Sequence, residues 1–235
     1  MSFFKLILFD LDDTLIHFDD YWETSAKETF CKHATTKEFD CNKMFDVYRE
    51  QDKFFEDLYH KQEITIDQYR INRFIHTLAH FGKFVDEDTA VDFENLYRGI
   101  SRTHMNTSSQ LMDLLFKLRQ QHFLGIVTNG TTSWQYDKID ALGIKSIIPA
   151  ESVFISEKVG FEKPAPEIYY CAIEHFQVSP DQTLFVGDSW KNDVEGPSKL
   201  GIRSVWINKK GLPIPNKDIK PYGIISNINE LNDLL

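Results

Sequence analysis

The feature that most constrains this chain is an apolar run, Leu6-Ile7-Leu8-Phe9, that ends in a cluster of carboxylates and a hydroxyl: Asp10, Asp12, Asp13 and Thr14. The run is short, β-prone and apolar on both faces, so it reads as a central strand of a parallel sheet with helices on each side. A strand of that kind delivers Asp10 to the carboxyl edge of the sheet, where open α/β folds bind ligands. Acids clustered at that edge repel one another. Either a cation sits among them or one keeps its proton.

The segment that follows, residues 17–105, carries helical signals. Ile71, Phe74, Ile75 and Leu78 repeat at helical spacing, as do Phe93, Leu96, Tyr97 and Ile100, and each set gives one apolar stripe. Their aromatic members read as the core of a small bundle rather than as a base-stacking platform. Thr65-Ile66-Asp67-Gln68 is a capping-box pattern that starts a helix, and Gly82 followed by Asp86-Glu87-Asp88 fits a stop and a restart. From about residue 108 helix and strand alternate. Strands are expected at Phe123–Val127, Val153–Ile155, Thr183–Val186, Ser204–Ile207 and Gly223–Ile225. Helices are expected around Leu111–Leu118, Ser133–Leu142 and from Lys163-Pro164 onward, where proline suits a first turn and puts Lys163 at a helix start.

Asp10 and Thr128 stand 118 positions apart, whereas a βα unit takes about 30 residues. The excess is the helical segment. The predicted architecture is α/β: a Rossmann-like doubly wound parallel sheet formed by residues 1–16 and 106–235, with an inserted α-helical bundle at 17–105. Strand carboxyl ends share one edge, so Asp10, Thr128 and Asp188 should converge there with the insert above them. No Gly-x-Gly-x-x-Gly turn points to a dinucleotide.

The net charge of −10, from 36 acids against 26 bases, disfavours a nucleic acid polymer or an anionic membrane as partner. The opening Met1-Ser2-Phe3-Phe4-Lys5 shows neither a leader pattern nor a membrane span. Cys31, Cys41 and Cys171 are odd in number and irregularly spaced. They make no disulfide framework and, with His33, no zinc spacing, which fits a reducing cytoplasm.

The clustered residues suit attack on phosphorus. Asp10 can act as nucleophile and form an acyl phosphate. Asp12 can lean back over the same site, protonate the leaving alkoxide and then deprotonate the water that cleaves the intermediate. Asp188 supplies another oxygen for a small hard cation, and magnesium fits. Thr128 offers a hydroxyl and Asn129 a backbone N–H to phosphoryl oxygens, while Lys163, favoured over Lys158 by its proline, holds phosphate and nucleophile together. Asp193 stands one step behind, anchoring this lysine or a water on the cation. Asp13 and Thr14 can equally brace the loop, and His17, Phe18 and Trp22 are either substrate contacts or plain packing.

Asp10-Leu11-Asp12-Asp13-Thr14, Thr128-Asn129-Gly130, Lys163-Pro164 and Gly187-Asp188 through Asp193 resemble, in order, the four motifs of the haloacid dehalogenase superfamily, and the insert resembles its C1 type of helical cap. The resemblance implies a magnesium-dependent phosphatase with an aspartyl-phosphate on Asp10. It adds the backbone carbonyl of Asp12 to the metal ligands Asp10 and Asp188, and implies a cap that opens for exchange and closes to exclude water. The subgroup it resembles is that of cytosolic phosphatases and nucleotidases of the pyrimidine 5′-nucleotidase type. The partner expected is thus a small phosphate ester, with a nucleoside 5′-monophosphate ahead of a sugar phosphate. A phosphomutase of the same fold and a non-catalytic binding module are the alternatives.

Overall fold

The computed structural model describes residues 3–235. Met1 and Ser2, with which the predicted core segment and the reading of a leaderless start begin, lie outside the described residues. Two compact units are formed: one runs to Phe18 and resumes with Asn106–Leu235, and the other is Asp19–Met105.

In the first unit six strands form one sheet: β1 Leu6–Phe9, β2 Phe123–Thr128, β3 Val153–Ile155, β4 Thr183–Gly187, β5 Arg203–Ile207 and β6 Gly223–Ile225, in the order β3-β2-β1-β4-β5-β6. Every pairing is parallel. All four residues of β1 are buried, as a strand apolar on both faces requires. Its alternate residues Leu6 and Leu8 join a core with Val127, Phe185 and the apolar stripe Ile168, Tyr169, Ala172 and Ile173 of helix Pro166–Phe176. Gly125 keeps that layer tight, because a Cβ there would come within 2.9 Å of Leu8 Cδ2.

The chain winds outward from β1 through β2 to β3, then returns to lay β4 on the other side of β1. That reversal is the switch point at which doubly wound sheets open a crevice. The register pairs Phe9 with Ile126 on one side and with Val186 on the other. Asp10 therefore leaves the sheet level with the ends of β2 and β4, as expected from sequence.

The second unit holds four helices: α1 Phe18–Lys32, which begins at the junction, α2 Cys41–His60, α3 Ile66–His80 and α4 Glu87–His104. The capping box at Thr65 and Gln68 starts α3 as predicted, and Asp86 caps α4. Phe74 and Phe93 stack with centroids 4.1 Å apart, and Phe30 and Tyr48 close around Phe93. Trp22 packs on Phe45 in the same unit. These aromatics are core, as their spacing suggested.

Three features differ from the sequence reading. Cys31 and Cys41 are joined in a disulfide, with Cα atoms 5.8 Å apart. The short connection after α1 folds back so that the two meet, and the argument from cysteine count to a reducing compartment loses its premise. Second, Lys163 does not start a helix: the helix begins at Pro166, and Lys163 lies in the preceding loop. Third, the α3 and α4 stripes do not account for a charged centre. Arg73, only 4% exposed, reaches Asp52 at 2.6 Å and Glu94 at 3.0 Å, with Tyr69 also donating to Asp52. Among the described residues no helix is long and apolar enough to cross a membrane.

Candidate active site

Four segments of the first unit meet at the carboxyl edge of the sheet. Asp10 continues the parallel ladder past β1, its N–H donating to the Val186 carbonyl at 2.9 Å. Its side chain faces Lys163, whose Nζ lies 2.8 Å from Asp10 Oδ1 and 2.7 Å from Asp193 Oδ1. Lys163 owes its place to Asn129, at the end of β2. The Asn129 amide accepts from the Lys163 N–H at 2.7 Å and donates to the Lys163 carbonyl at 3.0 Å, the way one peptide unit pairs with another. Sequence reasoning assigned Asn129 only a backbone donor, and this clamp by its side chain was not foreseen.

Asp193 is fully buried in a π-helical turn, Trp190–Glu195, that follows β4. Its second oxygen accepts from the Ser189 N–H at 2.9 Å. The side chain lies directly over Gly187, where a Cβ would come within 2.4 Å of Asp193 Cγ, so only glycine fits that strand end. The Asp188 carbonyl accepts from the Trp206 indole at 2.8 Å, which ties this turn to β5.

Asp10, Asp188 and Asp193 each direct a carboxylate oxygen to one focus, the three lying within 4.8 Å of one another. Burial pushes the Asp10 carboxyl up to about 8 against the pull of the Lys163 ammonium, and the charge of Asp193 adds to the rise. Burial, then the charges of Asp193 and Asp13, push Asp188 up to about 7. Lys163 is raised despite its burial, because two carboxylates hold its proton. Once all three carboxyls are ionised, they outnumber the one ammonium by two negative charges, which a divalent cation would cancel. The donors are all hard oxygens, so the set fits a magnesium ion.

Asp12 is placed differently. Both its oxygens are held by Lys138 Nζ, at 2.6 and 2.7 Å, and one also accepts from Gln135 Nε2 at 3.0 Å. These partners come from the helix Thr132–Leu142. Gln135 donates as well to Thr128 Oγ1 at 2.6 Å and to the Asn129 carbonyl at 3.0 Å. Sequence reasoning missed both residues, although their spacing of three along a predicted helix placed them on one face. Asp13 adopts a left-handed backbone, φ 54°, and its side chain accepts from the Phe18 N–H at 3.1 Å, so it braces the loop. His17 lies 3.9 Å from the same carboxylate. Thr14 is buried at 1% exposure. Lys158 belongs to a short helix, Ser156–Val159, and is exposed.

A doubly wound parallel sheet with acidic and basic side chains gathered over its switch point is the arrangement of an α/β enzyme. More particularly, the chain belongs to the haloacid dehalogenase-like hydrolase family, whose model matches residues 4–201. It is similar to human N-acylneuraminate-9-phosphatase, with 26% identity over 100% of this chain and 95% of the relative. It is also similar to glyceraldehyde 3-phosphate phosphatase of Pyrococcus furiosus, with 26% identity over 98% of this chain and 92% of the relative. Among solved structures it matches the HAD-hydrolase YfnB of Bacillus subtilis bound to magnesium, with a TM-score of 0.81 and 28% identity over 99% of this chain and 98% of that one.

Proposed function

We propose that this chain is a magnesium-dependent phosphatase acting on a small phosphomonoester, and that the alcohol it releases is a sugar or sugar acid. The observation that carries the reading is the focus of Asp10, Asp188 and Asp193 at the switch point, with Lys163 bound to the first and last of them. Asp10, Asp188 and the backbone carbonyl of Asp12 would hold magnesium, with Asp193 behind them on Lys163. When bound, the ion offsets the charge of the phosphoryl group, as in the metal-assisted displacements this chemistry uses.

The residues then divide the work. Thr128, the Asn129 N–H and Lys163 bind the phosphoryl oxygens and set the phosphorus in line with Asp10. An Asp10 oxygen bonds to phosphorus as the ester P–O bond breaks, and the Asp12 carboxyl proton passes to the departing alkoxide. In the second half a water oxygen bonds to phosphorus and its proton returns to Asp12. The acyl P–O bond breaks, releasing inorganic phosphate and the Asp10 carboxylate.

The expected nucleoside 5′-monophosphate draws no support from the relatives, whose names specify a phosphorylated sugar acid and a triose phosphate. A panel of sugar, sugar-acid, triose and nucleoside monophosphates, assayed for phosphate release with and without magnesium, tests the proposal. The outcome expected is magnesium-dependent release that is fastest on a sugar or sugar-acid ester and abolished by Asp10→Asn. Preference for nucleotides would overturn the substrate class. A hexose 1-phosphate isomerised without free phosphate, given a trace of the bisphosphate, would mark a mutase instead.

A further inference from the structure

We infer that Lys138 and Gln135 are positioning residues for Asp12, holding its carboxylate in one orientation from which it would take the proton of the attacking water. The inference rests on Asp12 as the proton carrier and deepens that reading. Asp12 stands on the turn leaving β1, and its side chain is 35% exposed, so the turn alone does not immobilise it. The two residues that hold it are buried, Gln135 at 1% and Lys138 at 5% exposure. Helix positions three apart normally show a polar pair to solvent, yet here that face is turned inward. An inward ammonium is costly unless paired, and Lys138 spends its charge on both oxygens of Asp12.

Gln135 gives the arrangement its second purpose. Its amide nitrogen faces the Asp12 carboxylate, the Thr128 hydroxyl and the Asn129 carbonyl. A carboxylate and a carbonyl cannot donate, so the nitrogen is the end that must point there. Thr128 accepts from it, which leaves the hydroxyl proton for a phosphoryl oxygen. The nearest protein acceptor for that proton is a weak one, the Asn129 carbonyl at 3.4 Å. One amide thus fixes the group that moves the proton relative to the group proposed to hold the phosphate. Lys138 and Gln135 would touch neither the substrate nor the nucleophile Asp10. They act through Asp12 and Thr128.

The test uses p-nitrophenyl phosphate with magnesium under stopped flow. Nitrophenolate leaves without help from an acid, so formation of the acyl phosphate stays fast while its hydrolysis depends on Asp12 taking the water's proton. Asp12→Asn should release about one nitrophenolate per active site in a burst and then turn over slowly. Lys138→Met should keep the burst and lose about ten- to hundredfold in steady rate, and Lys138→Arg should recover most of it. Placed on Asp12→Asn, Lys138→Met should cost less than about twofold more, because both act on one step. Gln135→Leu should lose a similar factor in steady rate and keep the burst amplitude with a slower onset, because Thr128 is freed as well, and it carries the test if Lys138→Met does not fold. A merely structural role would shrink burst and steady rate together. Wild-type turnover in Lys138→Met, or losses that multiply with those of Asp12→Asn, would overturn the inference and leave Asp12 in its role. Unchanged turnover in Asp12→Asn would remove both.

Discussion

Asp10 and Asp188 set the pH behaviour expected of the site. Without a cation their folded-state values, about 8 and about 7, stand above the ordinary carboxylate value of 3.8. The folded chain therefore holds protons that the unfolded chain has already lost. Their contribution to stability is full below pH 4 and is lost as pH rises through 7 and 8. A divalent cation binds the ionised form, so magnesium must displace protons and its affinity should climb from pH 6 to pH 8. Thermal denaturation with and without magnesium checks this: the rise in Tm on adding the ion should be larger at pH 8 than at pH 6. An equal or smaller rise at pH 8 would mean that the ion binds elsewhere. The gathering of Asp10, Lys163, Asp188 and Asp193 at one sheet edge was legible in the sequence, because each follows a strand or sits in a short motif that punctuation marks. The Asn129 clamp and the Gln135 amide were not. A side chain that serves by turning toward another loop leaves no local trace.

The helices divide along the same line. The capping box of α3 is a contiguous pattern and was readable as such. The partners of Arg73 come from α2 and α4, so their meeting depends on how three helices pack. The Arg73 guanidinium also lies over the Tyr48 ring at 4.4 Å. Removing one partner from a buried charge network strands the rest, at a cost of about 3 kcal/mol. Arg73→Met should accordingly lower the unfolding free energy by about 3 kcal/mol in urea titrations, whereas no change would show the network to be dispensable. The Cys31–Cys41 disulfide was illegible for a related reason. A separation of ten residues states the length of the chain between two thiols, not whether it turns back on itself.

For the molecule as a whole, the alternation of strand and helix after residue 108 and the long helical interval before it were enough to predict the sheet and its insert. The strand order follows from one reversal at β1, and that reversal brings Asp10 and Asp188 together although they stand 178 positions apart. A chain of net charge −10 would repel a phosphate ester from most of its surface. On the proposed function, Lys163 and a bound cation at the switch point would make that one edge receptive. On the proposed function the first aspartate becomes phosphorylated there, and the acyl phosphate can be trapped. Asp12→Asn protein, turning over p-nitrophenyl phosphate with magnesium, is quenched and reduced with borohydride, then digested and sequenced by mass spectrometry. Asp10 should be converted to homoserine in a magnesium-dependent manner. Reduction at any other residue, or at none while phosphate is still released, would contradict it.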